Sequence, residues 1–222
     1  MIIDFDGTIT TRDADVVIAE AVLGARHHRF IDQLLTEYEQ LRITTAEYFQ
    51  RYLERLGLPP AGFVSHARRV SLRPGLDELI TWCASAHIDV HVASEGLDIY
   101  IAPILAAAGV SNLPLTCNVA RWNGVRYHVT GALDGKSCDR CLTCKGELTR
   151  RLKAAGRKVA LVGNGASDLC GARHADLVIA RDSLADHCRR EHIAQVEWST
   201  FEHVREAFED FERNARRQPS KL

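Results

Sequence analysis

Neither sign of charge predominates in this 222-residue chain: 28 lysines and arginines face 29 aspartates and glutamates, for a formal net charge of -1. Such a balance lacks the electrostatic footprint that nucleic acid or an anionic membrane selects. No apolar run approaches the ~20 residues of a spanning helix. A basic-then-apolar secretory layout is also missing from the N-terminus. The expected setting is therefore the cytoplasm, with no nucleic acid and no membrane as partner. There is no repeat period and no low-complexity tract. Lysine is scarce, with five in all. Cysteine is odd in number, with seven residues, and three of them crowd together at Cys138, Cys141 and Cys144. That pattern does not suit the paired framework of a secreted domain; free thiols in a reducing compartment, or thiolates on a metal, fit better. The hydrophobic fraction, 46%, excludes wholesale disorder and serves one sizeable core with a small accessory unit.

The chain opens on Met1-Ile2-Ile3, a minimal apolar strand that runs straight into Asp4-Phe5-Asp6-Gly7-Thr8. From Asp13 to Ala67 the apolar spacing is helical. Within it, Thr44-Thr45-Ala46-Glu47 has the form of a capping box and opens a helix that stops before Gly57 and Pro59-Pro60. Residues 13–72 read as an all-helical insertion. Past Arg73-Pro74-Gly75 strands and helices alternate. Strands are expected at 88–93, 158–162, 177–180 and 193–196. Helices are expected at 76–86, 97–108, 145–155 and 200–213, after Gly165 and from Ser183, and a turn-rich stretch at 113–135. The alternation predicts an α/β fold, a doubly wound (Rossmann-like) parallel sheet built from residues 1–12 and 73–222, ending in a frayed basic tail at 216–222.

In such a sheet ligands gather beyond the carboxyl ends of the strands. Asp4 and Asp6 stand at one such end, and two carboxylates so close repel unless a cation lies between them; Mg²⁺ prefers such oxygen ligands. Ser94, in Val92-Ala93-Ser94-Glu95-Gly96, stands at another end. Gly163-Asn164-Gly165-Ala166-Ser167-Asp168 follows a third. Lys145 opens a helix, where its charge opposes the helix dipole unless an anion is near.

In this order, the four segments resemble the four motifs of the haloacid dehalogenase superfamily, the aspartate-nucleophile phosphohydrolases, and they span nearly the whole chain. The resemblance implies a Mg²⁺-dependent phosphomonoesterase acting on a small phosphorylated metabolite. Asp4 would be the nucleophile and form an aspartyl-phosphate, and Asp6 the acid and base. Thr8, Ser94, Glu95, Gly96 and Lys145 would bind substrate. Mg²⁺ would lie among Asp4, Asp6, Asn164 and Asp168. The family usually has an aspartate where Asn164 stands. An amide oxygen coordinates Mg²⁺ without adding charge, which leaves open a variant in which Asp168 takes over, an introduced change that traps a complex, or a weakened enzyme. A phospholigand-binding protein with a disabled metal site is the alternative of another class.

The helical insertion resembles the cap of the branch that holds phosphoserine phosphatase. Within that branch, Ser94-Glu95-Gly96-Leu97-Asp98, Tyr100-Ile101 and Cys138-x-x-Cys141-x-x-Cys144-Lys145 resemble the hydroxy-keto-methylthiopentenyl phosphate phosphatases of methionine salvage. Phosphocholine/phosphoethanolamine phosphatases carry a comparable cysteine-then-lysine arrangement and a similar Leu169-Cys170. Asp13 falls where phosphoserine phosphatases hold an acid for the substrate amine, and equally where a helix N-cap belongs. The three close thiols make half a cage for a structural Zn²⁺, with Cys117, His128 or another group as fourth ligand; reduced thiols or a local disulfide remain the plainer reading. Cys83 and Cys188 read as core, and Trp82, Trp122 and Trp198 as packing. His27, His28, Tyr48, Arg51, Tyr52 and Arg55 are the cap groups within reach of a substrate, although a solvated helix face accounts for most of them.

Overall fold

Short strands, most of them feeding a helix, generate a layered α/β architecture. The computed structural model describes residues 1–24, 27–40, 42–133 and 138–217. Its strands are β1 (Ile2–Ile3), β2 (His91–Leu97), β3 (Leu115–Trp122), β4 (Tyr127–Thr130), β5 (Ala160–Gly163), β6 (Leu177–Ala180) and β7 (Val196–Glu197). They form one sheet in the order β4-β3-β2-β1-β5-β6-β7. All pairings are parallel except the β3–β4 hairpin. The chain winds outward from β1 through β2 and β3, then returns to β5 and winds the other way. The expected doubly wound sheet is borne out, and its switch point lies between β1 and its neighbours.

The two faces are covered by different helices, and strand periodicity decides which residue meets which. Ile2, Leu161 and Val178 pack with Leu148 of α7 (Lys145–Ala154), Leu169 of α8 (Leu169–Ala172) and Leu184 of α9 (Asp182–Arg190). Their chain neighbours Ile3, Val162 and Ile179 turn the other way. They share a core with Leu79 of α5 (Leu76–Ser85), Ile101 of α6 (Asp98–Ala107) and Val204 of α10 (Phe201–Arg217). A strand buried on both faces is continuously apolar, which is why β5 and β6 are legible as strands.

Four helices occupy the stretch read as helical: α1 (Ala14–Leu23), α2 (His27–Glu39), α3 (Thr45–Leu56) and α4 (Pro60–Ala67). Thr44 closes the anticipated capping box, its hydroxyl accepting from Glu47 N while Glu47 accepts from Thr44 N at 2.8 Å. The chain enters and leaves this insertion side by side. Thr10 and Leu72 form an antiparallel bridge, and Arg73 N donates to Ile9 O at 2.8 Å. Ile31, Leu34, Phe49, Tyr52 and Phe63 of the insertion belong to the same apolar cluster as Ile3 and Leu97.

Several boundaries differ from expectation. β2 starts later and runs through Ser94, Glu95 and Gly96, with a register shift against β3 between Ala93 and Leu97. The stretch 113–135, expected to be turns, holds the β3–β4 hairpin. Its half-exposed, polar strands lack the apolar run that marked the buried ones, although Asn123-Gly124 is a hairpin signal. The last strand is displaced to Val196–Glu197. Helix α10 continues to Arg217, so the tail expected from residue 216 does not begin there; residues 218–222 lie outside the described residues.

Candidate functional site

Beyond β1 the backbone makes an irregular turn over Phe5–Ile9, in which Gly7 takes a φ of +70°. A Cβ there would lie 2.4 Å from the end of the Asn164 side-chain amide, so both conformation and crowding require glycine. Arg73 braces the turn from outside, donating through Nε to Thr8 O (3.0 Å) and through a terminal nitrogen to Gly7 O (2.8 Å). Its guanidinium in turn rests over Trp198, as does that of Arg181. Trp198 is packing, as expected, and it also donates from Nε1 to Gly163 O at 3.2 Å, which fixes the end of β5.

These supports bring Asp4, Asp6, Ser94, Glu95, Gly96 and Asn164 to one pocket, shared with Asp13, Asp15, Leu35, Tyr38, Glu39, Thr45, Tyr48, Phe49 and Tyr100. The insertion and the strand ends thus face each other across a cavity of about 80 Å³. Lys145 and Asp168 lie directly beneath, both fully buried. Lys145 Nζ is 2.5 Å from Asp4 Oδ1 and 2.5 Å from Asp168 Oδ1. Burial works against the ammonium charge, but Asp168 and Asp4 outweigh it and hold the Lys145 pKa above the ordinary lysine value. The remaining Asp168 oxygen accepts the Asn164 and Gly165 N–H groups at 3.0 and 3.1 Å. Both Asp168 oxygens are therefore engaged, and Asp168 is not among the residues that line the pocket.

Asn164, at the end of β5, lies against the acidic segment that follows β1. Its amide lies 2.9 Å from Thr8 Oγ1, and the surrounding acceptors turn its NH₂ toward Asp4 Oδ2 (3.2 Å) and the Asp6 carbonyl (2.9 Å). A hydrogen-bond donor here meets the oxygens that a cation would meet. Rotated, the amide would add its own oxygen to theirs, a hard oxygen set that fits Mg²⁺. Thr8 is fully buried against Asn164 and does not line the pocket.

The Asp6 side chain faces the insertion. Its Oδ1 accepts the N–H of Ala14 at 2.7 Å, and Ser94 Oγ is 3.4 Å from Oδ2. Asp6 therefore satisfies the first turn of α1. Asp13, the expected N-cap, makes no capping bond and joins the pocket wall instead. Burial, reinforced by the charges of Asp15, Asp13 and Asp4, pushes the Asp6 carboxyl well above its usual range. Burial and then Asp168 raise Asp4 to about 7 against the pull of Lys145. Gly96 allows the close approach of β2, since a Cβ there would sit 2.7 Å from Asp6 Oδ2.

Glu95 ties three segments together. It accepts Thr143 N at 2.6 Å and the Thr45 hydroxyl of α3, and its backbone carbonyl accepts from Asn118. Burial lifts its carboxyl to about 7. Of the cap groups, Tyr48 donates to Asp15 Oδ2 and Tyr52 to Asp15 O, whereas Arg51 pairs with Glu37 at the surface and Arg55 lies over Phe30. The side chains of His27 and His28 lie outside the described residues. Asp15, Glu39 and Thr45 were not anticipated. Asp15 was masked by its place in a helical pattern, and the other two are visible only once the insertion folds over the sheet.

Beside the thiol loop stands a fourth cysteine, which is neither of the two residues named for that place in the sequence. Cys138, Cys141, Cys144 and Cys170 have their sulfurs within 4.8 Å of one another. Neither Cys117, buried in β3, nor His128 of β4 belongs to that group. Cys170 is distant in sequence but comes from α8, which packs on the start of α7.

Three comparisons bear on this geometry. The family model for haloacid dehalogenase-like hydrolases matches residues 1–173. The chain is 30% identical over 203 residues, 90% of each chain, to the 2-hydroxy-3-keto-5-methylthiopentenyl-1-phosphate phosphatase of Brevibacillus brevis. It is 28% identical to the similarly named protein of Geobacillus kaustophilus, with 94% of each chain covered. In fold it resembles phosphoserine phosphatase solved as a phospho-aspartyl intermediate analogue, with a TM-score of 0.72 at 19% identity, over 92% of this chain and 96% of that one.

Proposed function

This chain belongs to the haloacid dehalogenase-like hydrolases and is a phosphatase of that family, and from that premise we propose how its own residues hydrolyse a phosphomonoester. Asp4 is the nucleophile: a carboxylate oxygen bonds to phosphorus, the ester oxygen leaves, and an aspartyl-phosphate forms. Asp6, whose raised pKa keeps a proton available, donates it to that leaving oxygen. As a carboxylate, it then takes a proton from the water that attacks the phosphorus and frees Asp4. Ser94 and Lys145 hold phosphoryl oxygens, and Asp168 holds Lys145. Asp4, the Asp6 carbonyl and the Asn164 amide oxygen would hold Mg²⁺, which when bound neutralises phosphoryl and carboxylate charge. Residues 13–72 act as the cap over residues 1–12 and 73–217, excluding water from the reaction.

The single observation that carries this reading is the buried Asp4–Lys145–Asp168 ion triad beneath a pocket walled by Asp6 and Ser94. A nucleophile aligned by one fixed cation suits a reaction that is mostly positioning and charge stabilisation. The substrate class is argued from the pocket wall, which among the described residues contains acids and aromatics and no lysine, arginine or histidine. A second anionic group on the substrate would find no partner there. A phosphoester whose organic part is uncharged, such as the methylthiopentenyl ester named for the relatives, suits the wall better than phosphoserine with its carboxylate. A second reading rests on Asp13, Asp15 and Glu39 beside Tyr38, Tyr48 and Phe49: acids and ring faces together also suit an ammonium group, as in phosphocholine or phosphoethanolamine.

Phosphate release over a panel of these esters, with Mg²⁺ and with chelator, tests both readings. Asp4→Asn is expected to lower turnover of p-nitrophenyl phosphate by about three orders of magnitude or more while the fold persists. Wild-type turnover in that variant would sink the assignment. Ligand-induced stabilisation without phosphate release from the unaltered chain would make it a binding protein instead.

A further inference from the structure

The phosphatase reading makes no use of the four thiols at the start of α7, yet they are the most concentrated set of metal-ligating atoms among the described residues. We propose that Cys138, Cys141, Cys144 and Cys170 form a closed tetrahedral Zn²⁺ site that clamps the segment presenting Lys145 to the segment presenting Asp168.

Four sulfurs bound to one zinc at about 2.3 Å stand roughly 3.8 Å apart at the corners of a tetrahedron. Here all four fall within 4.8 Å of one another, with Cys138 and Cys170 separated by 3.9 Å and no disulfide formed. So tight a group suits a single ion; an iron–sulfur cluster places several atoms between its thiolates and spreads them wider. The Cys141 N–H donates to Cys138 Sγ at 3.4 Å, an orientation that favours a thiolate. Cys144 sits at the N-cap of α7, where the helix dipole does the same. The two segments are already in intimate contact, since a Cβ on Gly146 would lie 2.6 Å from Cys170 O. Four protein ligands leave no open position, which makes the site structural rather than catalytic. Its location gives it work to do. Cys144 immediately precedes Lys145, Cys170 lies two residues past Asp168, and these two side chains form the ion pair that aligns Asp4.

The test is metal analysis of the chain purified without chelator, together with cobalt substitution. Neither readout depends on the chain's being a phosphatase. About one zinc per chain is expected, and cobalt in its place should show thiolate charge-transfer absorption with the d–d bands of a tetrahedral S₄ site. Cys170→Ser should lose the bound zinc and the cobalt spectrum, and lower kcat at saturating Mg²⁺ about tenfold or more. Cys117→Ala should retain zinc and spectrum. If Cys170→Ser fails to fold, the cobalt spectrum and reactive-thiol count of the unaltered chain decide: four thiols should become titratable only on metal release. A zinc-free protein from zinc-supplemented expression, iron in the site, a disulfide among the four, or full zinc retention in Cys170→Ser would each overturn the proposal.

Discussion

Asn164 is the residue at which a single atom decides the chemistry. Its amide nitrogen faces Asp4 Oδ2 and the Asp6 carbonyl, the acceptors a cation would otherwise satisfy. Asn164→Asp should tighten Mg²⁺ activation by about tenfold, on the order of 1.4 kcal/mol, because it adds a charge to the same oxygen set. An Mg²⁺ titration of phosphate release reads this directly, and an unchanged midpoint would remove residue 164 from the metal set. Lys145 is the opposite case, a lone cation between two buried carboxylates. Lys145→Met should cost about 3–5 kcal/mol of stability near neutral pH, measured by urea denaturation, since it strands both acids. Asp4 and Lys145 were legible as residues of one site, and their side chains are paired. That Asp168 pairs with Lys145 was not, because the sequence separates the two by 23 positions and gives no direction for either side chain.

At the scale of elements, local chemistry was legible wherever it is written in neighbouring residues. The Thr44 capping box is such a case, and Thr44→Ala should lower stability by about 1 kcal/mol in thermal or denaturant unfolding. An effect within error would mean that tertiary packing alone holds α3. Non-local devices escaped. Asp13 occupies an N-cap position, but Ala14 finds its acceptor on Asp6, eight residues away. The Ser94–Gly96 segment extends β2 through a register shift, which apolar periodicity cannot signal when polar side chains point inward. β3 and β4 escaped for the related reason that an edge hairpin with one exposed face carries a weaker apolar imprint than a strand covered on both faces.

Across the whole molecule, the collected acids set how stability responds to pH. Burial, aided at Asp13 by neighbouring carboxylates, raises Asp13 and Glu95 to about 7 from 3.8 and 4.5. Asp15 shifts in the same direction. Between roughly pH 4 and 7 the unfolded chain has released protons that the folded chain keeps, so stability falls as pH rises through that window. Denaturation midpoints in chelator should accordingly be lower at pH 7.5 than at pH 5, and Glu95→Gln should flatten part of the slope. A midpoint that climbs steadily with pH would contradict the burial of these groups.

The cavity of about 80 Å³ has a kinetic meaning. Water held there has to leave before a phosphoester can reach Asp4. The chain enters and leaves α1–α4 at the paired Thr10 and Leu72, so any swing of these helices away from the strand ends would turn on that crossing. Were such a swing slower than the breaking of the P–O bond, it would set the upper bound on throughput.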